Sequence, residues 1–431
     1  MNDATLAQWL ERLEQLHPKK IELGLARVTQ VARSLDLLPV PQPVVTVAGT
    51  NGKGSTVAVM EALLNRVGRV TGSYTSPHFL RFNERIRVAG CEVDDSEIIE
   101  AFSAIDEARG DISLTYFEFA TLASLWVFRA RQVDVVLLEV GLGGRLDAVN
   151  IVDASVAVIT RIDLDHQDWL GDSLDGIARE KAGVLRAGRP AVIADPAPPA
   201  GLANAVADSG AAPVFRLGKE FTVCADKAGW QILLAGPQGK QRCLPPAANN
   251  ALMPENFAGA LQAITALGVS FTDEDAQAAV AETAPTGRRQ QLQIEGRTYL
   301  LDVAHNPSAV DKLVEYIDAT PCSGKTLTVF SVMRDKDVSE MIARVEGRFD
   351  GWFLADQPGN ARAATASELA SRLHEAGQGP VSVSDNLRQA FRRAESLMQS
   401  GDRLVIFGSF YTVAGVMPSL EKAQRKREAN R

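Results

Sequence analysis

Short apolar runs alternate with helical patterns through most of the chain. Largely apolar runs fall at 44–48, 133–138 and 154–162, and such runs are typical of parallel strands that are buried on both faces. In the intervening segments apolar residues recur at helical spacing, as at 57–67 and 115–129. This order predicts an α/β protein with a doubly wound, mostly parallel sheet, in which ligands bind beyond the carboxyl ends of the strands.

A second, smaller domain is predicted in the C-terminal third. Turn-forming residues at 284–287 (APTG) separate two strand–helix series, so we predict domains at 1–284 and 285–431. The apolar runs of the second series are 299–303, 327–330 and 404–407. They predict a smaller, Rossmann-like α/β domain. Short alternating strands at 214–244 predict a small antiparallel addition to the first domain.

Composition excludes several classes of function. The 431 residues carry a formal net charge of -8 with both signs interleaved, whereas nucleic-acid binding needs a concentrated basic face. The four cysteines lack paired metal-ligand spacing, as expected of reduced thiols in the cytosol. The sequence shows neither a signal-peptide core nor the ~18 uninterrupted apolar residues of a membrane span. We therefore expect a soluble, cytoplasmic protein without nucleic-acid or membrane partners.

A glycine-rich turn, GTNGKGS at 49–55, follows the first apolar run. In such turns backbone N–H groups close on phosphate oxygens, a lysine adds a positive charge, and the N-terminus of the next helix favours the anion. Gly54 separates Lys53 from the hydroxyls of Ser55 and Thr56, which departs from a strict Walker A motif. Either the turn is only a tight strand–helix connection, or ligands for a metal ion lie partly elsewhere.

Polar residues at the ends of later strands offer such ligands. Glu139 ends an apolar run and is placed to hold Mg²⁺, directly or through water, near nucleotide phosphates. Ser76 and His166 also fall at strand ends or in adjacent loops, although His166 could equally be a strand-end histidine bonded to a nearby aspartate. Lys181 is most simply a solvated helix lysine, and it becomes an anionic metal ligand only if CO₂ carbamylates its amine.

Three further segments carry polar groups at predicted strand ends or at the domain boundary. Three glycines within 141–144 allow close approach of the backbone to a ligand. The sequence DVAHNP at 302–307 places an acid and an imidazole before a helix, or alternatively forms only an N-cap. Arg288 lies at the boundary, where its guanidinium could reach phosphates or belong to a solvated turn.

Together these motifs resemble the folylpolyglutamate synthase and dihydrofolate synthase family, relatives of the Mur ligases, over nearly the whole chain. The motifs are IELGL at 21–25, GTNGKGS at 49–55, YTSPH at 74–78, RFNERI at 81–86, EVGLGGRLD at 139–147, DH at 165–166, REKAG at 179–183 and DVAHNP at 302–307. The displaced Gly54 is shared by that family. The resemblance implies an ATP-dependent ligase, which converts a carboxylate into an acyl phosphate that the amine of L-glutamate attacks.

The resemblance also implies roles for individual residues. The residues implied to bind ATP are Thr50, Asn51, Gly52, Lys53, Ser55, Asn256, Arg288 and Asp302. Those implied to hold magnesium, as two ions, are Ser76, Glu139 and His166, and a monovalent cation is implied as well. Lys181 resembles a catalytic lysine that carries a CO₂-derived carbamate, and the catalytic His305 would lie near the incoming glutamate or the γ-phosphate.

The pterin substrate is expected to contact three segments. The implied contacts are Ile21, Glu22, Leu23, Thr115, Tyr116, Phe117, Glu118, Leu146, Asp147 and Ala148. The rings of Tyr116 and Phe117 suit a flat heterocycle, although they could equally belong to a helix core. Asp147 could pair with an aminopyrimidine edge. Val149 and Tyr411 depart from the family pattern, so the details of the glutamate site stay open.

We expect a monomeric, bifunctional enzyme that glutamylates dihydropteroate and then extends reduced folates with L-glutamate. The resemblance assigns ATP and pterin binding to the first domain, and a contribution to glutamate and ATP binding to the second. One alternative is a Mur-type ligase for a peptidoglycan precursor, but no additional N-terminal domain is evident for its nucleotide. Another is a regulatory P-loop switch, but residues 160–163 (TRID) match a guanine-specifying Asn-Lys-x-Asp poorly.

Overall fold

The computed structural model describes residues 4–19, 21–236, 239–248 and 251–429. The chain divides into two compact units, with the boundary between Thr283 and Ala284, one residue before the predicted boundary. Each unit has its own sheet and its own hydrophobic core. The functions assigned to the two domains remain predictions.

The first unit contains eleven described strands and ten described α-helices. The strands are β1 (Val44–Ala48), β2 (Thr71–Tyr74), β3 (Ile86–Val88), β4 (Cys91–Glu92), β5 (Val135–Glu139), β6 (Val156–Ile159), β7 (Ala191–Ile193), β8 (Val214–Arg216), β9 (Thr222–Asp226), β10 (Gly229–Ala235) and β11 (Gln241–Ala247). The helices are α1 (Leu6–Leu16), α2 (Ala26–Ser34), α3 (Lys53–Arg66), α4 (Asp95–Arg109), α5 (Tyr116–Ala130), α6 (Gln167–Leu170), α7 (Leu174–Ala182), α8 (Ala200–Ser209), α9 (Pro254–Ala266) and α10 (Asp273–Glu282).

An eight-stranded sheet in the order β4-β3-β2-β5-β1-β6-β7-β8 forms the centre of this unit. The six strands from β2 to β8 in that order pair in parallel, and β3 is antiparallel to both of its neighbours. All five residues of β1 are buried. Val44 and Ala48 pack into one hydrophobic core, while Val45 and Val47 pack into the other. The sheet is therefore covered on both faces, which confirms the predicted doubly wound fold.

The antiparallel addition differs in extent from the prediction. Strand β8, at Val214–Arg216, pairs in parallel with β7 and extends the large sheet. The separate three-stranded antiparallel sheet consists of β9, β10 and β11 and begins only at Thr222. Short alternating strands do not reveal from the pattern alone which sheet they join, because pairing is a tertiary property.

The second unit is a smaller α/β unit, as predicted. Its strands are β12 (Gln290–Ile294), β13 (Arg297–Leu301), β14 (Thr326–Phe330), β15 (Gly351–Ala355), β16 (Val381–Ser384) and β17 (Arg403–Phe407). Its helices are α11 (Pro307–Ala319), α12 (Val338–Arg344), α13 (Ala366–Glu375), α14 (Leu387–Leu397) and α15 (Phe410–Ala429). The sheet order is β12-β13-β17-β14-β15-β16, with only β12 antiparallel to its neighbour.

The parallel order of the large sheet determines where polar residues collect. The carboxyl ends of β1, β2, β5 and β6 lie at one edge of that sheet. Glu139 is the last residue of β5, and the other strand ends are followed by the glycine-rich turn, Ser76 and the loop at 160–166. In the described part of the chain no helix combines the length and the apolar character of a membrane span.

Candidate active site

The glycine-rich turn after β1 has the geometry of a phosphate cradle. Gly52 adopts a left-handed conformation (φ 96°), and α3 begins at the next residue, Lys53, without a side-chain cap on its N-terminus. The first N–H groups of a helix have no partner within the helix, so an uncapped N-terminus suits an anion. The Lys53 ammonium group donates to the carbonyl oxygens of Gly49, at 3.1 Å, and Thr50, at 3.2 Å. The residues present therefore fit nucleotide phosphates.

Asn256 lies against this turn. A Cβ atom placed on Gly52 would lie 2.3 Å from the side-chain oxygen of Asn256, so only glycine fits there. The Thr56 hydroxyl, in the first turn of α3, donates to the Asn256 carbonyl oxygen at 3.4 Å. The structure thus brings Asn256 together with the phosphate cradle across about 200 residues of sequence.

Thr50 and Asn51 join the turn to the loop after β6. Their N–H groups donate to the Arg161 carbonyl oxygen, at 2.7 Å and 3.3 Å. The Thr50 hydroxyl donates to the Asp163 carbonyl oxygen and accepts the Asp163 N–H, both at 3.0 Å. This loop continues to His166, which adopts a left-handed conformation (φ 53°) at the start of α6. The His166 Nε2 atom lies 3.9 Å from the buried Asp165 carboxylate.

Glu139 and Ser76 form a pair of oxygen donors beside α3. The Ser76 N–H donates to Glu139 Oε2 at 3.1 Å. A Cβ atom on Gly54 would lie 3.5 Å from the same carboxylate oxygen, so Glu139 lies beside the first turn of α3. Among the described residues no group of three His, Cys, Asp or Glu side chains could hold a metal ion alone. Magnesium characteristically takes one or two protein oxygens and completes its octahedron with phosphates and water, so these donors fit it.

Lys181 is buried, and the interpretation of this residue as a solvated helix lysine is wrong. Its side chain is 4 % exposed and its ammonium group donates to the Gly49 carbonyl oxygen at 2.8 Å. Burial, reinforced by the nearby charge of Lys53, lowers the pKa of Lys181 to about 7, although Asp165 and Asp147 oppose the shift. A lysine with such a pKa carries a substantial fraction of neutral, nucleophilic amine at neutral pH.

The glycine-rich segment after Glu139 packs against the helix that carries Lys181. A Cβ atom on Gly144 would lie 2.7 Å from the Glu180 carbonyl oxygen, and one on Gly183 would lie 2.4 Å from Arg145 Cβ. The Arg145 N–H donates to that same Glu180 carbonyl at 2.8 Å, and its guanidinium pairs with the Glu180 carboxylate at 2.9 Å. The glycines therefore permit a close approach between the segment and the end of α7.

Asp147 closes the glycine-rich segment at 141–147 into a loop. Its buried carboxylate accepts the N–H groups of Gly141 at 3.0 Å, Leu142 at 2.8 Å and Val149 at 3.0 Å. Burial raises the pKa of Asp147 to about 6, against the opposing effect of these backbone bonds. On either side, Leu146 is half-buried and Ala148 is buried. The structure therefore gives Asp147 a local structural role, and its predicted contact with the pterin remains a prediction.

Aromatic residues form one side of the candidate pterin site. Tyr116 and Phe117 occupy the first turn of α5. The Phe117 ring packs so closely on Gly141 that a Cβ atom there would lie 2.6 Å from the ring. The centroid of the Phe117 ring is 5.8 Å from that of the Tyr74 ring. The ring of Tyr116 lies 6.0 Å from that of Phe82. Both predicted residues are partly buried against the core, so they belong to its packing, and their predicted contact with the pterin remains a prediction.

Arg85 and His78 belong to the same group of side chains and were not predicted as site residues. The Arg85 guanidinium carbon lies 5.5 Å from the centre of the Tyr116 ring, and Arg85 Nε donates to His78 Nδ1 at 2.7 Å. Burial, together with the charge of Arg85, lowers the pKa of His78 to about 4, so this imidazole is neutral at physiological pH. The sequence signal for this group was the pair of motifs at 74–78 and 81–86, which contain His78 and Arg85.

Arg27 ties the segment at 21–23 to the start of α5. Its guanidinium donates to Glu118 at 2.9 Å, to the Glu22 carboxylate at 2.8 Å and to the Glu22 carbonyl oxygen at 2.6 Å. Thr115 and Glu118 also bond reciprocally as the capping box of α5. Glu118 and Thr115 therefore have structural partners, while Ile21 and Leu23 lie half-buried beside Glu22.

Replacing Arg27 by Met tests the predicted pterin contacts at 21–23 and 115–118: it should raise the KM for the pterin about tenfold or more, because charged hydrogen bonds contribute about 1.5–3 kcal/mol. The KM for ATP should stay unchanged, since the guanidinium of Arg27 bonds to Glu22 and Glu118, which lie outside the phosphate cradle. Steady-state kinetics with each substrate varied in turn measures both values. Arg131→Met, which removes an exposed helix-surface pair with Glu97, is the matched control. Equal effects on both KM values would contradict the prediction that the segments held by Arg27 contact the pterin.

In the second unit the predicted site residues Arg288 and His305 both lie near Phe410, which was not predicted as a site residue. The Arg288 guanidinium carbon lies 4.9 Å from the centre of the Phe410 ring, and the His305 ring lies 6.5 Å from it. His305 Nδ1 lies 2.7 Å from the Val303 carbonyl oxygen. Asn306 caps α11 through the Ala309 N–H at 2.9 Å, so the predicted N-cap is present beside the polar cluster.

Asp302 is buried near the same residues. Its carboxylate accepts the Arg289 N–H at 3.0 Å and the Ala304 N–H at 2.8 Å. Burial raises the pKa of Asp302, while the charge of Arg288 and these bonds act in the opposite direction. Arg288, Asp302 and His305 therefore lie at the carboxyl end of β13, where ligands of a parallel sheet bind.

Comparison with known proteins defines the class. The model of the Mur ligase middle domain matches residues 47–194, and that of the Mur ligase glutamate ligase domain matches residues 287–410. Together with a nucleotide cradle at the edge of a parallel sheet, these matches define an ATP-dependent ligase of the Mur type.

Whole-chain relatives give the family. The Escherichia coli (strain K12) dihydrofolate synthase/folylpolyglutamate synthase is 42 % identical over 417 residues, with 96 % of each chain covered. The Haemophilus influenzae protein of the same name is 37 % identical over 430 residues, covering 95 % of this chain and 96 % of that protein. The chain belongs to the dihydrofolate synthase/folylpolyglutamate synthase family.

Solved structures agree with this assignment. E. coli FolC in complex with DHPP and ADP matches with a TM-score of 0.92 at 40 % identity, over 98 % of this chain and 99 % of that one. A bifunctional folylpolyglutamate synthase/dihydrofolate synthase with Mn, AMPPNP and L-glutamate bound matches with a TM-score of 0.88 at 41 % identity, over 97 % and 98 %. None of these relatives is named as a peptidoglycan-precursor ligase or as a regulatory P-loop switch.

Proposed function

We propose that this protein adds L-glutamate to dihydropteroate and to the γ-carboxylates of reduced folates, with conversion of ATP to ADP and phosphate. The observation that carries this proposal is the juxtaposition of an uncapped phosphate cradle, the Glu139–Ser76 donor pair and the buried Lys181 at one sheet edge. The Mn, AMPPNP and L-glutamate in one relative, and the DHPP and ADP in another, support the same substrates here.

The chemistry needs two displacements. A carboxylate oxygen of the acceptor attacks the γ-phosphorus of ATP, so that the bond to ADP breaks and an acyl phosphate forms. The glutamate amine then attacks the acyl carbon and loses a proton, the C–O bond to phosphate breaks, and an amide remains. Lys53 and the N-terminus of α3 would bind the phosphates, because both present positive charge to them.

Glu139, Ser76 and His166 would hold magnesium at this edge. When bound, Mg²⁺ neutralises charge on the transferring phosphoryl group. In the second unit Arg288 and Asp302 would contact the nucleotide, and His305 would lie near glutamate or the γ-phosphate. The predicted monovalent cation, the monomeric state, the cytoplasmic location and the absence of nucleic-acid binding stay predictions.

Lys181 would act as a carbamate. The neutral amine that its lowered pKa provides can attack CO₂, forming an N–C bond and releasing a proton, so that a carboxylate replaces the cation. The Lys53 ammonium group would stabilise such an anion, whereas the Gly49 carbonyl oxygen and the carboxylates of Asp147 and Asp165 would repel it.

A substrate panel tests the proposed function. The purified protein should release phosphate from ATP only when Mg²⁺, L-glutamate and either dihydropteroate or a reduced folate are all present. Mass spectrometry of the products should show one added glutamate on dihydropteroate and longer chains on the folate. Absence of phosphate release with both acceptors would refute the proposal, and activity with one acceptor would reduce it to a single synthase. Lys53→Met serves as the inactive control.

A further inference from the structure

Arg161, which follows β6, connects two parts of the nucleotide site. Its carbonyl oxygen accepts the N–H groups of Thr50 and Asn51, at 2.7 Å and 3.3 Å. Its guanidinium lies 3.5 Å from Glu255 Oε1, in the first turn of α9. We infer that the Arg161–Glu255 ion pair is a positioning element that sets the affinity of the site for nucleotide. This inference rests on the proposed function, and the family resemblance gives neither residue a role.

The helix that this pair holds carries Asn256. Glu255 is buried and directly precedes Asn256, whose side chain is packed against Gly52 so closely that a Cβ atom there would lie 2.3 Å away. Helix α9 begins at Pro254 and receives no side-chain cap. Glu255 therefore connects the first turn of α9 to Arg161, whose carbonyl oxygen holds Thr50 and Asn51 of the phosphate cradle.

The environment of the pair makes it more than a surface contact. The Glu255 side chain is 9 % exposed and that of Arg161 is 24 % exposed, so water screens their attraction only partly. Removal of Arg161 would leave a buried carboxylate without its cation, and removal of Glu255 would leave a half-buried guanidinium without its anion. Either change favours movement of the first turn of α9, and Asn256 would then shift relative to the cradle.

Arg161→Met, Glu255→Gln and the double variant test this inference through binding of ADP with Mg²⁺, measured by calorimetry. Each single change should weaken ADP binding about tenfold, because it leaves one partner of a partly buried ion pair uncompensated. The double variant should be no weaker than the worse single variant by more than about twofold, because the pair acts as one unit. Arg161→Lys should recover part of the loss. The KM for ATP should rise in parallel, while the KM for L-glutamate stays constant.

Arg12→Met is the control, because Arg12 pairs with Asp106 at 3.0 Å between α1 and α4, outside the nucleotide site. It should leave ADP affinity unchanged. Unchanged ADP affinity in both single variants, additive losses in the double variant, or an equal rise in the KM for L-glutamate would each overturn the inference. Wild-type protein that neither binds ADP nor ligates glutamate would instead refute the proposed function.

Discussion

Lys181→Met is expected to abolish glutamate-dependent turnover of ATP, with a loss of at least about 10²–10³-fold, the range seen when a preorganised charge is removed from an active site. The wild-type amine is buried and lies 2.8 Å from the Gly49 carbonyl, within the phosphate cradle. Methionine fills a similar volume but offers no nucleophile for CO₂. Phosphate release under saturating substrates measures the effect.

The stability of this variant separates a catalytic role from a structural one. Because the pKa of Lys181 falls from 10.5 to about 7 on folding, the unfolded chain binds a proton that the folded chain lacks between those values. The free energy of unfolding therefore rises with pH through that window, and at pH 7 and below the buried cation opposes folding. In CO₂-free buffer, where the amine is not carbamylated, Lys181→Met removes this penalty and should unfold at an equal or higher urea concentration at pH 7. Loss of activity together with a lower midpoint would indicate a role in packing.

Depletion of CO₂ provides the control for the carbamate. Wild-type protein held in CO₂-free buffer near pH 7 should lose turnover and recover it after addition of bicarbonate. The loss should deepen as pH falls below about 7, because protonation removes the neutral amine that reacts with CO₂. Turnover that is indifferent to CO₂ while Lys181→Met is inactive would mean that the amine itself is used.

Gly183→Ala should cost about 1–3 kcal/mol of stability, the usual cost of overpacking, and should reduce turnover about 10²-fold through misplacement of Lys181. A methyl group at this position would lie 2.4 Å from Arg145 Cβ and 2.6 Å from Arg145 Cα. Because the second of these atoms is backbone, either the glycine-rich segment or the end of α7 must move. Chemical denaturation and phosphate release measure the two effects.

Gly176→Ala, in the same helix, is the matched control. Its added methyl group would lie no closer than 3.7 Å to Ser173, which is an ordinary contact. Alanine is also the better helix former by about 1 kcal/mol, so this variant should be neutral or slightly more stable and fully active. If Gly183→Ala retained wild-type turnover, the close contact between the two segments would have no part in placing Lys181.

The strands of the second unit show where the sequence was sufficient for prediction and where it was not. The buried runs of β13, β14 and β17 were predicted, because apolar strands between helices leave a strong pattern. Strands β12 and β16 were missed, since Gln290–Ile294 and Val381–Ser384 alternate with polar residues at the two edges of the sheet. Strand β15 was missed as well, although it is entirely buried, because a run of five apolar residues does not distinguish a strand from a helix segment.

In the site, the sequence located motifs but not their contacts. The cradle and Glu139 were predicted because glycine spacing and a charge after a buried run are local signals. The burial of Lys181 depends on packing between α7 and residues 141–147, which no local pattern records. For the same reason the placement of Phe410 near Arg288 and His305 in the second unit was not predicted. Contacts of this kind are determined by tertiary packing rather than by local spacing.

The double hydrogen bond between Thr50 and Asp163 has a thermodynamic consequence. It joins the turn that would receive phosphates to the loop that continues to His166, and both bonds are 3.0 Å long. Displacement of one segment therefore displaces the other. If nucleotide binding orders this joined unit, the metal binds to a loop whose entropy has already been lost, and linkage requires the metal to tighten nucleotide binding by the same factor. Under that condition Thr50 would couple the binding of the two ligands through a single side chain.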